Sequence, residues 1–394
     1  MRTCILWMDS PKILHISNFY SPHVGGIEDV CRTMVGIAKR NDIGRQKVIC
    51  FSGSRSSSVG EVDGVTVQYV GGSIQVASQW LSLRYFFVLR KVIQQFQPDI
   101  IHFHSPNPLI AFYLLRLLPE NVRLIVHWHA DVVKQKKLYT LIKPIEKRLL
   151  EKADVILTTS PIYAQDSKPL QPYLNKVEVL ANVINENAVL MTEDIRSAAQ
   201  QIKRQYNNRS ILFFVGRHVP YKGLACLVEA ERFVKNDCVI VIAGEGPLTE
   251  MLKKKSEGRE RVRFVGRISD DEKKAYYEAC SIFAFPSVTK NEAFGLALAE
   301  AMYFEKPAIT FHIHGSGVNW VSLNGETGLE VENGDVHAYA EAIDELLSNE
   351  ARRYQMGVAA RKRVEENFLV NCIEQQVIQL YQRVKTKQYA SSNS

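Results

Sequence analysis

The sequence predicts two Rossmann-like α/β domains facing across a cleft, and three observations carry that prediction. Short apolar strands alternate with helix-length segments along both halves of the chain. A polar stretch with several Asn and Gln residues, roughly 182–210, interrupts the alternation once, after which it restarts. The 394 residues are long for one domain and comfortable for two, and a composition 46% apolar and 23% charged supplies a sizeable core.

Taken in order, the first strand is 12–17 (KILHIS), followed by the loop 18–26 ending in Gly25-Gly26, then a helical run from Ile27 to about Lys39. Strand, glycine turn and helix make the usual start of a doubly wound sheet. Further strands at 47–51, 65–70, 99–104, 123–127 and 154–158 argue for a parallel sheet covered on both faces. The second half repeats the scheme with strands at 211–215, 238–243, 263–265, 282–285 and 308–311. Helices at 336–347, 351–368 and 370–385 close the chain, and a polar tail begins at Gln388. The expected domains are 1–185, 186–368, and a C-terminal segment 369–394 whose helix is able to cross back to the first domain.

Composition narrows the function. No apolar run approaches the roughly 20 residues of a membrane-spanning helix, and the N-terminal residues lack a signal-peptide pattern, so a cytoplasmic protein is expected. Seven cysteines without a CxxC pair read as mostly buried, reduced thiols, and argue against a zinc site. The net charge, 49 − 42 = +7, fits an anionic small molecule, a membrane surface or nucleic acid without choosing among them. Ser269-Asp270-Asp271-Glu272 reads as a helix capping box rather than an acidic metal site, and no other D-x-D ends a strand, so no divalent metal is expected.

The stretch Asn291-Glu292-Ala293-Phe294-Gly295-Leu296-Ala297-Leu298-Ala299-Glu300 carries the chemistry. It sets two carboxylates eight positions apart across a loop-to-helix junction. Glu292 is expected in the loop and Glu300 one to two turns inside the helix. The first amides of that helix, around Phe294 to Leu296, form an anion site by default, with Gly295 leaving room for the backbone to approach a phosphate. Val215-Gly216-Arg217-His218-Val219-Pro220-Tyr221-Lys222-Gly223 ends the first strand of the second half, where a parallel sheet binds ligands, and brings Arg217 and Lys222 to the same place. Gly244-Glu245-Gly246-Pro247 is a second strand-to-helix turn, and Arg267 and Ile268 could line a base pocket through their backbone. In the first half, Gly25 and Gly26 can offer amides to a phosphate. His127-Trp128-His129-Ala130-Asp131 ends a strand, so His129 is expected to face the cleft, although a packing histidine fits as well; His102 and His104 pose the same choice.

Together, the early Gly-Gly loop, His129, VGR-x4-KG at 215–223, GEGP at 244–247 and NEAFGLALAE at 291–300 resemble glycosyltransferase family 4, retaining enzymes of GT-B fold, over about residues 12–368. The resemblance implies that Arg217 and Lys222 hold a donor diphosphate, Glu300 the ribose hydroxyls, and Glu292 the transferred sugar. It places the amides of Phe294, Gly295 and Leu296 on sugar or phosphate, Gly25 and Gly26 on the phosphate side, and His129 on the sugar's primary hydroxyl. It also implies no metal and no cofactor beyond the nucleotide-sugar donor. One departure is 180–185 (LANVIN), where the family usually shows Pro-Asn-Gly.

Basic and apolar residues at 134–152, and the aromatic, basic helix at 82–96, suit either packing on the sheet or contact with anionic lipid at the inner face of the plasma membrane. HWHADVVKQKK also resembles bacterial O-polysaccharide mannosyltransferases. The expected partners are therefore a nucleotide sugar, GDP-mannose first, and a glycan or polyprenyl-diphosphate-linked acceptor. A UDP-sugar donor and a non-catalytic sugar-nucleotide-binding relative are the alternatives. Nucleic acid is not expected, since no aromatic and basic sheet face or reading helix is found.

Overall fold

The computed structural model of the protein describes residues 10–23, 25–76, 79–131 and 136–391. Contacts divide the chain into a first unit, the residues up to Leu180 with those from Ile373 on, and a second unit, Ala181–Cys372.

The first unit runs β1 (Lys12–Ile16), α1 (Gly26–Arg40), β2 (Arg45–Phe51), β3 (Ser58–Val62), β4 (Val65–Val70), β5 (Ile74–Val76), β6 (Gln79–Leu81), α2 (Leu83–Phe96), β7 (Ile100–Ser105), α3 (Pro108–Leu117), β8 (Arg123–Trp128), α4 (Lys136–Lys152), β9 (Val155–Thr158), α5 (Pro161–Asp166) and β10 (Val177–Val179). Its main sheet has the order β10-β9-β8-β7-β1-β2-β4-β3. All neighbours are parallel except β3, which pairs antiparallel with β4. That edge strand departs from the parallel sheet the sequence predicts. Its residues SVGEV are mostly exposed, so no apolar run announces it. By contrast β7 is buried along its whole length, as a strand covered on both faces must be.

The second unit contains α6 (Glu193–Gln205), β11 (Ser210–Val215), α7 (Leu224–Ala230), β12 (Cys238–Ala243), α8 (Thr249–Lys255), β13 (Val262–Gly266), α9 (Asp270–Ala279), β14 (Ile282–Phe285), α10 (Leu296–Tyr303), β15 (Ala308–Phe311), α11 (Val318–Val321), β16 (Gly328–Val331), α12 (Val336–Ser348) and α13 (Glu350–Asn367). Its sheet order is β13-β12-β11-β14-β15-β16. The chain steps outward from β11 to β13, then returns beside β11 with β14, so the direction of winding reverses between β11 and β14. In a parallel sheet the carboxyl ends of strands at such a reversal are where ligands commonly bind.

The 182–210 stretch is not a bare linker. It holds α6, capped by Thr192, whose hydroxyl accepts from the Ile195 amide at 3.3 Å. Only Ile195 and Ala199, one turn apart, are buried. Two core positions in an otherwise polar helix leave a composition that reads as linker. The final helix, α14 (Val370–Ser391), lies on the first unit from Ile373 on: Gln376 Nε2 donates to the Val179 carbonyl at 2.7 Å, and Val377, Leu380, Tyr381 and Val384 are buried. Among the described residues no helix is long and apolar enough to cross a membrane.

Candidate functional site

The loops after β11 and β14 are joined backbone to backbone. Pro220–Lys222 forms a short 3-10 turn and Gly223 follows with φ 62°, in the left-handed region, before α7 begins. A Cβ at Gly223 would sit 1.9 Å from the Pro286 carbonyl oxygen, so only glycine fits without displacement. The Val288 amide donates to the Tyr221 carbonyl at 2.9 Å across the same seam.

This seam sets Lys222 Nζ against Glu292 Oε2, in an ion pair whose side chains are 11% and 12% exposed. The Ser287 hydroxyl donates to the same carboxylate oxygen at 3.2 Å, and the Ser316 hydroxyl donates to the Glu292 carbonyl. Burial alone would pull the Lys222 pKa down, but the Glu292 carboxylate lifts it above the usual value, so the ammonium stays charged. It lies 5.1 Å from the centroid of the Phe285 ring, whose face favours a cation.

Gly295, with φ 93°, starts α10. Its missing Cβ has a structural reason beyond room for a ligand, because a Cβ would sit 2.9 Å from Phe285 Cζ. Phe294 is buried and meets the rings of Phe368 and Trp320 edge-on, anchoring the start of the helix. The first amides of α10, from Leu296, have no acceptor inside the helix and carry its partial positive charge. Glu300 lies in the second turn and is half-enclosed: Tyr277 Oη donates to its Oε2 at 2.9 Å, and Lys273 Nζ lies 3.2 Å from Oε1 and 3.1 Å from Oε2. Tyr277 is fully buried, so the acid is held from the core side.

Glu292, Lys222, Gly295, Leu296 and Glu300 are thus brought onto one edge of the second unit. Arg217 stands exposed on the same loop as Lys222, close enough for its charge to oppose the Lys222 ammonium. Arg267 points its side chain elsewhere, to Glu245 Oε2 at 3.0 Å, tying the turn after β13 to the GEGP turn, and Ile268 packs on the core. Ser269 and Glu272 form a complete capping box at the start of α9. Sequence reasoning missed Lys273, Tyr277, Ser287 and Ser316. The first two sit one turn apart on α9, a spacing legible in the sequence, but nothing local tells which carboxylate they serve.

The other expected residues belong to the first unit. Gly25 is the N-cap of α1 and Gly26 its first residue, with the Glu28 carboxylate folded against Gly25. His129 is 5% exposed, with Nε2 3.1 Å from His104 Nδ1, and burial lowers its pKa to about 3. Of the basic 134–152 stretch, Lys134 and the side chains of Lys136 and Lys137 lie outside the described residues. In the rest of α4, Leu149 and Leu150 are buried, while Lys143, Lys147, Arg148 and Lys152 are exposed.

Residues 24–188 match the family model Glycosyltransferase Family 4, and residues 196–363 match Glycosyl transferases group 1. O-antigen chain mannosyltransferase C of Escherichia coli is 29% identical over 375 residues, 94% of this chain and 98% of that protein. D-rhamnosyltransferase WbpZ of Pseudomonas aeruginosa is 29% identical over 362 residues, covering 91% and 92%. Sucrose-phosphate synthase from Thermosynechococcus elongatus superposes with a TM-score of 0.79 at 20% identity, covering 96% of this chain and 100% of that one. Anabaena HepE in complex with UDP and glucose superposes with a TM-score of 0.75 at 17% identity, covering 95% and 100%. At such identities the structures speak for the fold.

Proposed function

The chain belongs to the glycosyltransferases, a family 4 half followed by a group 1 half on the GT-B fold, and from that premise we propose that it moves a hexose from a nucleotide sugar to a hydroxyl of a glycan or polyprenyl-diphosphate-linked acceptor. The observation that carries this reading is the buried Lys222–Glu292 pair at the reversal point of the second sheet, next to the free amides of α10. GDP-mannose is the first candidate donor, on the likeness to an O-antigen mannosyltransferase over nearly the whole chain. UDP-glucose or UDP-N-acetylglucosamine is the alternative, favoured by the likeness in fold to a protein that binds UDP and glucose.

Breaking the glycosyl–phosphate bond sends its electron pair to the diphosphate and leaves an oxocarbenium-like sugar. Lys222, Arg217 and the amides of α10 would stabilise the charge arriving on the leaving group, the task a divalent ion performs elsewhere. A diphosphate competes with Glu292 for Lys222, which frees the Glu292 carboxylate for the sugar. Glu300, steadied by Tyr277 and Lys273, would accept from the ribose hydroxyls. Retention follows from attack on the face the diphosphate leaves, the acceptor proton passing to the departing phosphate oxygen. Glu292 as covalent nucleophile is the minor route.

The first unit would take the acceptor. Its α2 shows Leu83 and Phe87 at 65% and 59% exposure, with Arg84, Arg90 and Lys91 also exposed, a surface suited to anionic lipid. Flotation with anionic vesicles, reduced in Phe87→Glu, checks this contact; equal flotation of both rejects it.

The deciding experiment is a thermal-shift panel of GDP-mannose, UDP-glucose, UDP-N-acetylglucosamine, ADP-glucose and dTDP-glucose without added Mg²⁺ or Mn²⁺, followed by NMR of the product's anomeric proton. Stabilisation by one donor and a retained α configuration are expected. Binding that appears only with Mg²⁺ or Mn²⁺, or an inverted product, overturns the mechanism.

A further inference from the structure

Five histidines, His15, His102, His104, His127 and His129, are buried on one side of the first unit's sheet, in ring-to-ring contact across β1, β7 and β8 and beyond the end of β8. The pattern follows from strand geometry. His102 and His104 alternate along β7 and so share a face, and the parallel register sets His104 directly beside His127 of β8 and His102 beside His15 of β1.

His15 Nε2 meets Gln46 Oε1 at 2.9 Å, and the His102 and His104 rings are likewise each oriented by one nitrogen. His102 Nδ1 meets Tyr381 Oη at 2.7 Å, and His104 Nδ1 meets His129 Nε2 at 3.1 Å. Their opposite nitrogens, His102 Nε2 and His104 Nε2, are buried without a hydrogen-bond partner, as are both nitrogens of His127. Leaving so many polar atoms of one cluster unmet in a closed interior is costly, and a native fold calls for something to satisfy them. Ligand atoms of His102, His104 and His127 all lie within 4.8 Å of one another, and the residues are 0%, 1% and 0% exposed.

We propose that His102, His104 and His127 bind a divalent transition-metal ion of the zinc class beneath the Tyr381 segment of α14. Imidazole nitrogen is the donor that zinc, cobalt, nickel and copper prefer, and with no carboxylate in the group magnesium and calcium are disfavoured. Tetrahedral coordination needs ligand nitrogens roughly 3.3 Å apart, given Zn–N bonds of about 2.0–2.1 Å, so the three rings close inward by rotation about their side-chain bonds. Tyr381 and His129 then act as the outer partners that metal-bound imidazoles commonly have, each fixing the ring nitrogen opposite the metal. The ion is structural and lies within the first unit, so it is independent of metal-free transfer at Lys222 and Glu292. Cysteine spacing argues only against a thiolate zinc site; the two H-x-H pairs, 102/104 and 127/129, were the legible signal for an imidazole one.

The test uses the full chain without a histidine tag, stripped with a chelator and titrated with zinc or cobalt. About one equivalent binds, unfolding shifts to higher temperature with zinc, and cobalt shows the visible bands of a tetrahedral site. Tyr381→Phe, which keeps the core filled, weakens zinc binding by about 10-fold, and His127→Ala abolishes it. No thermal shift and no tetrahedral cobalt spectrum in the stripped wild-type chain overturn the proposal. So does unchanged zinc binding in a folded His127→Ala protein, which would place the ion on surface histidines.

Discussion

The Gly223 backbone and the Pro286 carbonyl approach so closely that a Cβ on Gly223 would lie 1.9 Å from the oxygen. This contact locks the loop bearing Lys222 to the loop bearing Glu292, and their ion pair depends on it. Gly223→Ala must both strain a φ of 62° and push the loops apart. We expect it to destabilise the second unit by about 2 kcal/mol or more. Gly258 has a similar φ of 75° but open space around its missing Cβ. Gly258→Ala therefore loses only the left-handed backbone term, about 1 kcal/mol. Urea unfolding of both variants separates the effects; equal losses would mean that the Pro286 approach contributes nothing.

Lys222→Ala removes the enclosed cation assigned to the leaving diphosphate. Turnover is expected to fall on the order of 10²–10³-fold, the usual cost of losing one donor that stabilises developing charge. Glu292→Ala should also lose turnover, and the double variant less than the product of the two losses, because the residues share one contact. A double-mutant cycle on kcat with circular dichroism of each protein measures this. Full activity in both single variants rejects the assignment of the site.

Glu300 is expected to affect donor binding more than chemistry. Glu300→Ala should raise the donor KM by on the order of 10-fold with a smaller change in kcat, as loss of a hydrogen bond to a charged group implies. Tyr277→Phe, which removes the hydroxyl 2.9 Å from Oε2, should give a weaker effect in the same direction. A donor lacking a ribose hydroxyl discriminates the roles: wild type loses affinity for it and Glu300→Ala does not. If both proteins lose affinity alike, Glu300 is not the ribose acceptor.

How much of this was legible in the sequence depends on whether a feature is local. β11 and β12 announced themselves as continuous apolar runs, and the α9 cap as Ser269-x-x-Glu272, because strand burial and capping are set within a few residues. Glu292 and Lys222 could each be placed at a strand end, but their direct pairing depends on the close approach of Gly223 to Pro286, 63 positions apart. β3 and α6 were hidden for opposite reasons: β3 is an exposed edge strand, and α6 commits only Ile195 and Ala199 to the core. For His129 the sequence leaves a cleft-facing and a packing role both open; the ring stacks on His127 and bonds His104, a contact no single strand reveals because it depends on histidines carried by the neighbouring strands.

Glu146 of α4 offers a pH test away from the transfer site. It is 6% exposed, and burial raises its pKa from 4.5 to about 7, partly offset by a hydrogen bond with Tyr139. The folded value is the higher one, so folding favours the protonated carboxyl. Below pH 4.5 the group is neutral in folded and unfolded chains alike, and the stability tied to its protonation is fully present. As pH climbs through about 7 the buried carboxyl must ionise and that stability is lost. Glu146→Gln keeps the shape and cannot ionise, so it should melt about 3 °C above wild type at pH 8. At pH 4, below the unfolded value of 4.5, the two should melt nearly together. A difference of equal size at both pH values would mean that the carboxyl is solvated and ionises as in a free peptide.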